Sequence, residues 1–319
     1  MFTRRLGKSG IEVSAMGIGC WAIGGPIYRN GKQRGWGEVD DEVSIRAVRR
    51  ALDMGVTFLD TADVYGAGHS ERILAKALDG RRDEVAIASK FGMIFDEKTK
   101  EENGRDASPE YVRRACEASL HRLDTDRIDV YQLHIGDYDP AGVEELIAVL
   151  EELVDEGKIR FYGWSTDDPD RAQAIAKGPH CTAIQQRLNV VEGNVETLRV
   201  CEREGLASLN RGPLGMGLLT GKFSSDSTLP ETDVRGAWDF REGDAAERLN
   251  KLRDVRDVLA SDGRTLAQGA LGWLWARSES TVPIPGFKNV EQIEENVGAL
   301  AFGPLKREQM EQIETLLAS

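Results

Sequence analysis

Eight short apolar runs, separated by longer stretches of helical periodicity, constrain this 319-residue chain more than any other feature. The runs lie at residues 16–20, 56–59, 85–88, 128–133, 159–163, 182–185, 205–209 and 280–283. β-Branched or aromatic residues recur in them, as expected of strands buried on both faces. Between the runs the period lengthens. Val43, Ala47 and Ala51 form one apolar stripe, and Val112, Ala115, Cys116, Ser119, Leu120 and Leu123 form a second. Leu146, Val149, Leu150 and Leu153 form a third, with Glu144, Glu145, Glu151 and Glu152 among the intervening positions. Ser108-Pro109-Glu110 is a helix-start signal, and Gly55 and Gly157 stand where helices should end. Such alternation means a parallel sheet, either closed as a barrel or open and doubly wound. No linker or composition shift interrupts it, so residues 1–319 are expected to form a single domain. Ahead of the first run, residues 3–13 read as a β-hairpin turning at Lys8-Ser9-Gly10, placed to plug the floor of a barrel.

A chain that is 40% hydrophobic and 30% charged can bury a large core and remain soluble. Its formal charge of -13 argues against nucleic acid or an anionic membrane as partner. The start of the chain lacks the apolar region of a secretory signal, and no run is long enough to span a membrane, so a cytoplasmic protein is expected. Cys20, Cys116, Cys181 and Cys201 are far apart and read as scattered buried thiols. The histidines are equally dispersed, which disfavours a metal site.

Four polar residues stand at or just after the ends of three strand candidates. Asp60 closes the second, with Tyr65 five positions on; Lys90 and His134 follow the third and fourth. In a parallel barrel these ends open on one face, where catalysis takes place. Together they suit proton donation to a carbonyl oxygen while hydride reaches its carbon. A phenol near pKa 10 is a weak acid unless its anion is stabilised. A neighbouring ammonium favours phenolate, and a carboxylate keeps that ammonium charged in a dry pocket. Asp60, Lys90 and Tyr65 supply this chain, and His134 would orient the carbonyl or help pass the proton. Singly, each has a plainer reading as a cap, a wall residue, a solvated head or a structural histidine.

At this point the sequence resembles the aldo-keto reductase family. The likeness is carried by Phe58-Leu59-Asp60-Thr61-Ala62-Asp63-Val64-Tyr65-Gly66, Ala88-Ser89-Lys90-Phe91-Gly92 and Asp129-Val130-Tyr131-Gln132-Leu133-His134. Gly215-Met216-Gly217-Leu218-Leu219-Thr220-Gly221-Lys222-Phe223, Ile284-Pro285-Gly286-Phe287 and Glu295-Asn296 extend it along nearly the whole chain. The resemblance implies a (β/α)8 barrel with an N-terminal hairpin and reversible NADPH-dependent reduction of an aldehyde or ketone. It implies Tyr65 as acid, Lys90 and Asp60 as its tuning pair, and His134 as the carbonyl-orienting residue.

It also implies cofactor contacts. Ser165 and Gln185 match residues on the nicotinamide carboxamide, although Thr166 stands where asparagine usually follows the serine. Pro213, Leu214 and Lys222 match the loop over the pyrophosphate, and Arg235 an arginine that closes on it. Glu295 and Asn296 match the adenine-side pair. Lys288 and Gln292 fall in the stretch that reads the 2′-phosphate; a cation at Lys288 favours NADPH, with NADH weaker. Gln292 replaces an arginine found in many relatives. Arg211 stands where an aromatic residue often stacks on nicotinamide; stacking, substrate charge and phosphate binding all stay open for it.

Residues 17–22 imitate a GxGxxA dinucleotide fingerprint, but Ile23-Gly24-Gly25-Pro26 cannot continue the helix that fingerprint must open. They read instead as the first barrel strand entering a loop, with Trp21 lining the substrate mouth. Loops at residues 28–39, 91–107 and 212–241 carry Tyr28, Trp36, Met93, Phe95, Trp238 and Phe240, which suggests an apolar pocket with charged edges for a small-molecule substrate. Substrate identity and oligomeric state are not legible. Two other readings compete: an NADPH-binding regulatory protein of low turnover, resembling channel β-subunits, and a barrel aldolase with Lys90 as Schiff-base lysine.

Overall fold

The computed structural model describes residues 2–230 and 233–318, so the loop at 212–241 is described except for residues 231 and 232. Strands β1 (Thr3–Arg5) and β2 (Glu12–Ser14) form an antiparallel hairpin. Strands β3 (Ile18–Gly19), β4 (Phe58–Asp60), β5 (Ala86–Phe91), β6 (Ile128–Leu133), β7 (Ile159–Ser165), β8 (Cys181–Asn189), β9 (Ala207–Arg211) and β10 (Thr281–Pro283) pair in parallel, each with its successor in the chain. The ring closes where Gly17 and Gly19 donate to the carbonyls of Pro283 and Pro285 at 3.0 and 2.9 Å. Of the two parallel-sheet solutions, the chain adopts the barrel.

All eight apolar runs fall on barrel strands, but β4, β5, β7, β8 and β9 continue beyond their runs. The added residues include the polar Ser89, Lys90, Gln186 and Asn210, all buried. By strand alternation Lys90 faces the lumen and Asp60, whereas Ser89, which donates to Glu71, and Gln186 and Asn210, which both meet Ser208, face outward, so each buried group has a polar partner.

The hairpin seals the opposite end. Leu6 and Val13 pack with Phe58, Ala86, Val130, Ala207 and Val282 in one buried cluster at that end. Thr182 Oγ1 donates to the Leu6 carbonyl at 2.6 Å, tying the plug to the barrel. The turn is broader than Lys8-Ser9-Gly10 alone: Leu6 N–H donates to the Ile11 carbonyl, and Gly10 carries the left-handed φ of +76°.

Among the described residues ten helices surround the sheet: α1 (Asp41–Asp53), α2 (His69–Ala77), α3 (Pro109–Leu123), α4 (Val143–Asp155), α5 (Pro169–Ile175), α6 (Val195–Glu204), α7 (Gly243–Leu259), α8 (Leu266–Arg277), α9 (Val290–Gly298) and α10 (Arg307–Ala318). Ser108 caps α3 through the Tyr111 N–H, with Pro109 in the first turn. Both α7 and α8 lie between β9 and β10, and α10 is added after α9. No helix among the described residues is long and apolar enough to cross a membrane.

The fingerprint-like glycines serve the sheet. A Cβ on Gly19 would lie 2.8 Å from the Ile284 carbonyl oxygen, so only glycine allows β3 its close approach to the closing seam. Among the described residues no helix begins between these glycines and Asp41.

Candidate active site

Register brings Lys90 on β5 directly beside Gln132 on β6, and Asp60 beside Ala88. Lys90 reaches back across the lumen, and its ammonium makes three hydrogen bonds: 2.6 Å to Asp60 Oδ1, 2.7 Å to the Thr61 carbonyl and 3.2 Å to Tyr65 Oη. An ammonium has three protons, so its donors are fully engaged. The bond to Tyr65 ends on the phenol oxygen, which leaves the phenol's own hydrogen free to point elsewhere. Asp60 is fixed by two amides: Gln185 Nε2 donates to its Oδ2 at 2.6 Å and Gln132 Nε2 at 3.2 Å.

Tyr65 sits on the turn after β4. A Cβ on Gly66 would collide with the Gly24 carbonyl, and one on Gly24 would lie 2.8 Å from the Tyr65 carbonyl carbon. Two backbones therefore lock together under the tyrosine. Its ring is lined by Trp21, 6.2 Å away between centroids, and by His134 at 5.8 Å in an edge-on arrangement. Trp21 in turn meets Trp36 at 5.4 Å.

The electrostatics follow from this packing. Burial works against the Lys90 ammonium, but Asp60 and Tyr65 more than offset it and hold its pKa above the ordinary lysine value. Burial raises the Tyr65 phenol, with Lys90 opposing, so the tyrosine is protonated at neutral pH. Burial, then the positive charges of Lys90 and Arg211, push His134 well below the usual histidine range. It is a neutral imidazole, and its enclosed Nδ1 has no hydrogen-bond partner. The mouth can therefore offer a protonated phenol and a neutral imidazole to one oxygen atom.

A second assembly lies in the loops after β9 and β10. Arg235 holds Asp233 through two 2.7 Å bonds and donates to the Met216 carbonyl at 2.9 Å. A Cβ on Gly217 would lie 2.9 Å from Lys222 Nζ and 3.4 Å from Arg235 Nη1, so both cations crowd one backbone position. Lys288 Nζ donates to the Trp36 carbonyl at 3.3 Å. Partial desolvation and the nearby cations hold Lys222 and Lys288 below the ordinary lysine value, with Asp233 opposing. Three cations facing one carboxylate, in a chain of charge -13, form a cradle suited to a polyanion.

The remaining expected positions are distributed as follows. Ser165 closes β7 and is buried, and Thr166 donates to the Gly136 carbonyl at 2.9 Å. Pro213 and Leu214 are buried in the loop after β9. Gln292 accepts from the Lys288 N–H at 2.8 Å, so it orders the lysine's backbone. Glu295 and Asn296 lie on α9, Asn296 donating weakly to the Gly286 carbonyl at 3.4 Å. Gln185 has its amide nitrogen turned toward Asp60. Arg211 pairs with Asp167, whose other oxygen accepts from the Arg187 N–H. It bears on Tyr65 and His134 and is absent from the interactions of the cation cradle. The described mouth loops hold one another: Tyr28 N–H donates to the Lys100 carbonyl, and Arg29 pairs with Glu102.

Sequence reasoning missed Gln132 and the Thr61 carbonyl. An amide near the end of a strand that is buried throughout was the available signal for Gln132, since such a group must find a partner.

A closed parallel barrel with a carboxylate–ammonium–phenol chain at its strand ends defines a barrel enzyme equipped for proton transfer. The chain matches the aldo/keto reductase family over residues 15–318 and belongs to that family. Its members are NAD(P)-dependent oxidoreductases acting on carbonyl or alcohol groups. The chain is 33% identical over 303 residues to a probable aldo-keto reductase 1 of Glycine max, covering 93% of this chain and 84% of that one. It is similar to the glycerol dehydrogenase AKR11B4 of Gluconobacter oxydans, with TM-score 0.85 and 30% identity over 99% of this chain and 95% of that chain. An aldo-keto reductase from Klebsiella pneumoniae, solved with NADP and acetate, matches with TM-score 0.73 and 27% identity over 99% and 95% of the two chains.

Proposed function

We propose that this chain reduces an aldehyde or ketone to an alcohol with NADPH, reversibly, with Tyr65 giving the proton. The observation that carries the reading is the 3.2 Å bond from Lys90 to the Tyr65 oxygen, backed by the 2.6 Å bond to Asp60. The bound nicotinamide would supply hydride to the carbonyl carbon. Everything else falls to side chains. His134, neutral, hydrogen-bonds the carbonyl oxygen and orients it. Tyr65 delivers its proton to that oxygen, and Lys90 stabilises the phenolate left behind. Asp60, steadied by Gln132 and Gln185, keeps Lys90 charged.

The cradle of Lys222, Arg235 and Lys288 fits the phosphates of the dinucleotide, and Lys288 favours NADPH over NADH. Ser165 and Gln185 would hold the nicotinamide carboxamide, Pro213 and Leu214 would line the loop over the pyrophosphate, and Gln292, Glu295 and Asn296 would serve the adenine end. Trp21 forms a wall of the substrate mouth. Arg211, standing near Tyr65 and His134, is assigned to the substrate side.

The test is cofactor oxidation at about 340 nm, an absorbance specific to the reduced nicotinamide, with a panel of aldehydes and ketones and Tyr65→Phe as control. Turnover should fall by about 100-fold or more in the variant while NADPH still binds. Full activity in Tyr65→Phe would remove Tyr65 as the acid. NADPH binding without turnover on any carbonyl would favour a regulatory role.

A further inference from the structure

The cation cradle and the substrate mouth are joined through one side chain that no part of the chemistry above requires. Trp36, from the loop at residues 28–39, presents its ring to two cations at once: Arg235 Cζ lies 4.9 Å and Lys288 Nζ 5.3 Å from its centroid. Its own carbonyl accepts from Lys288 Nζ. Its ring also meets Trp21, which meets Tyr65. Among the described residues no carboxylate lies within ion-pair distance of Lys288 Nζ, and Asp233 is taken up by Arg235 through three bonds. An exposed lysine so placed would ordinarily sweep a wide arc. Here an aromatic face and a carbonyl hold it, and both are weaker partners than a phosphate.

We propose that Trp36 is a positioning residue for cofactor recognition, its ring holding Lys288 and Arg235 in the posture that receives the dinucleotide phosphates. Holding Lys288 on an aromatic face lowers the entropy lost when the anion arrives, without neutralising its charge as Asp233 does for Arg235. The effect should be larger for NADPH than for NADH, because Lys288 belongs to the 2′-phosphate whereas the pyrophosphate retains Lys222. The inference rests on the NADPH reading above.

The experiment is fluorescence titration of NADPH and NADH into wild type, Trp36→Phe and Trp36→Leu, with thermal melts of the ligand-free proteins as a folding control. Phenylalanine keeps an aromatic face, whereas leucine keeps apolar bulk without one. Trp36→Leu should weaken NADPH binding by roughly tenfold and NADH binding by less, and Trp36→Phe should stay within about threefold of wild type. Unchanged NADPH affinity in Trp36→Leu, or equal weakening of both cofactors, overturns the proposal while leaving the reductase reading intact. Wild type that binds neither cofactor overturns that reading, and this one with it.

Discussion

Lys90 Nζ lies 2.6 Å from Asp60 Oδ1, with both side chains shut off from solvent. Neither charge has water to fall back on, so each depends on the other. Asp60→Asn keeps the shape and removes the countercharge. It is expected to destabilise the fold by about 3–5 kcal/mol, the usual cost of orphaning one member of a buried pair. Turnover should fall at least about tenfold because Lys90 can no longer hold its charge beneath Tyr65. Denaturant melts and steady-state kinetics check the two parts.

The pH profile of carbonyl reduction follows from two displaced titrations. Burial holds His134 well below the histidine range, and burial raises Tyr65 above the ordinary phenol value against the pull of Lys90. Reduction needs Tyr65 protonated and His134 neutral, and both conditions hold throughout neutrality. The kcat/KM for reduction should be flat from about pH 6 to about pH 9 and fall only above the free-phenol value of about 10. A limb near pH 6.5 would show that His134 titrates in the working range.

Gly24 supports Tyr65 from below. A methyl group there would lie 2.8 Å from the Tyr65 carbonyl carbon, a distance that forces backbone to move. Gly24→Ala should lower turnover by roughly tenfold or more through misplacement of the phenol. NADPH affinity should fall by less than turnover, since Lys222, Arg235 and Lys288 belong to other loops and only Trp36 shares the loop of Gly24. A matching loss of cofactor affinity would mean that the two sites move together.

Asp63 is buried on the same turn and its Oδ1 has no hydrogen-bond partner. Burial, then the nearby Glu71, push its pKa well above the carboxylate range, with Arg122 opposing. An acid whose folded pKa is raised favours the native state at low pH, and this contribution is lost as pH rises through the folded value. Asp63→Asn should therefore raise the melting temperature by about 2 °C or more above neutrality, with the gain shrinking as pH is lowered. A melting temperature unchanged at every pH would refute the assignment.

Lys288→Met should raise the Kd for NADPH roughly tenfold, the scale of one charge-assisted bond, with NADH little affected. Titration of both cofactors decides it. Equal losses would assign Lys288 to the pyrophosphate.

Much of this protein was legible without coordinates. The eight apolar runs coincide with the eight barrel strands, Ser108 caps α3, and Gly55 and Gly157 take left-handed φ after α1 and α4, as their sequence positions imply. These are local signals: a buried strand must be apolar, and a helix end must satisfy its own backbone. Asp60, Lys90, Tyr65 and His134 were also found together, because parallel strands place consecutive C-terminal ends on one face. The partners of those residues were not legible. Gln132 and Gln185 meet on Asp60 only because the sheet closes and curves their side chains into one lumen layer. Trp36 lies far in sequence from Arg235 and Lys288, and no periodicity links the three. Nor did any local pattern choose the closed barrel over the open sheet. That choice was settled by the close approach of Gly17 and Gly19 to the strand ending at Pro283 and by the hairpin filling the floor. The chain's own pattern determined which segments form strands and helices and which ends carry reactive groups. Only the tertiary structure decided which of those groups touch, because contacts between distant segments depend on closure and packing, for which a linear pattern has no signal.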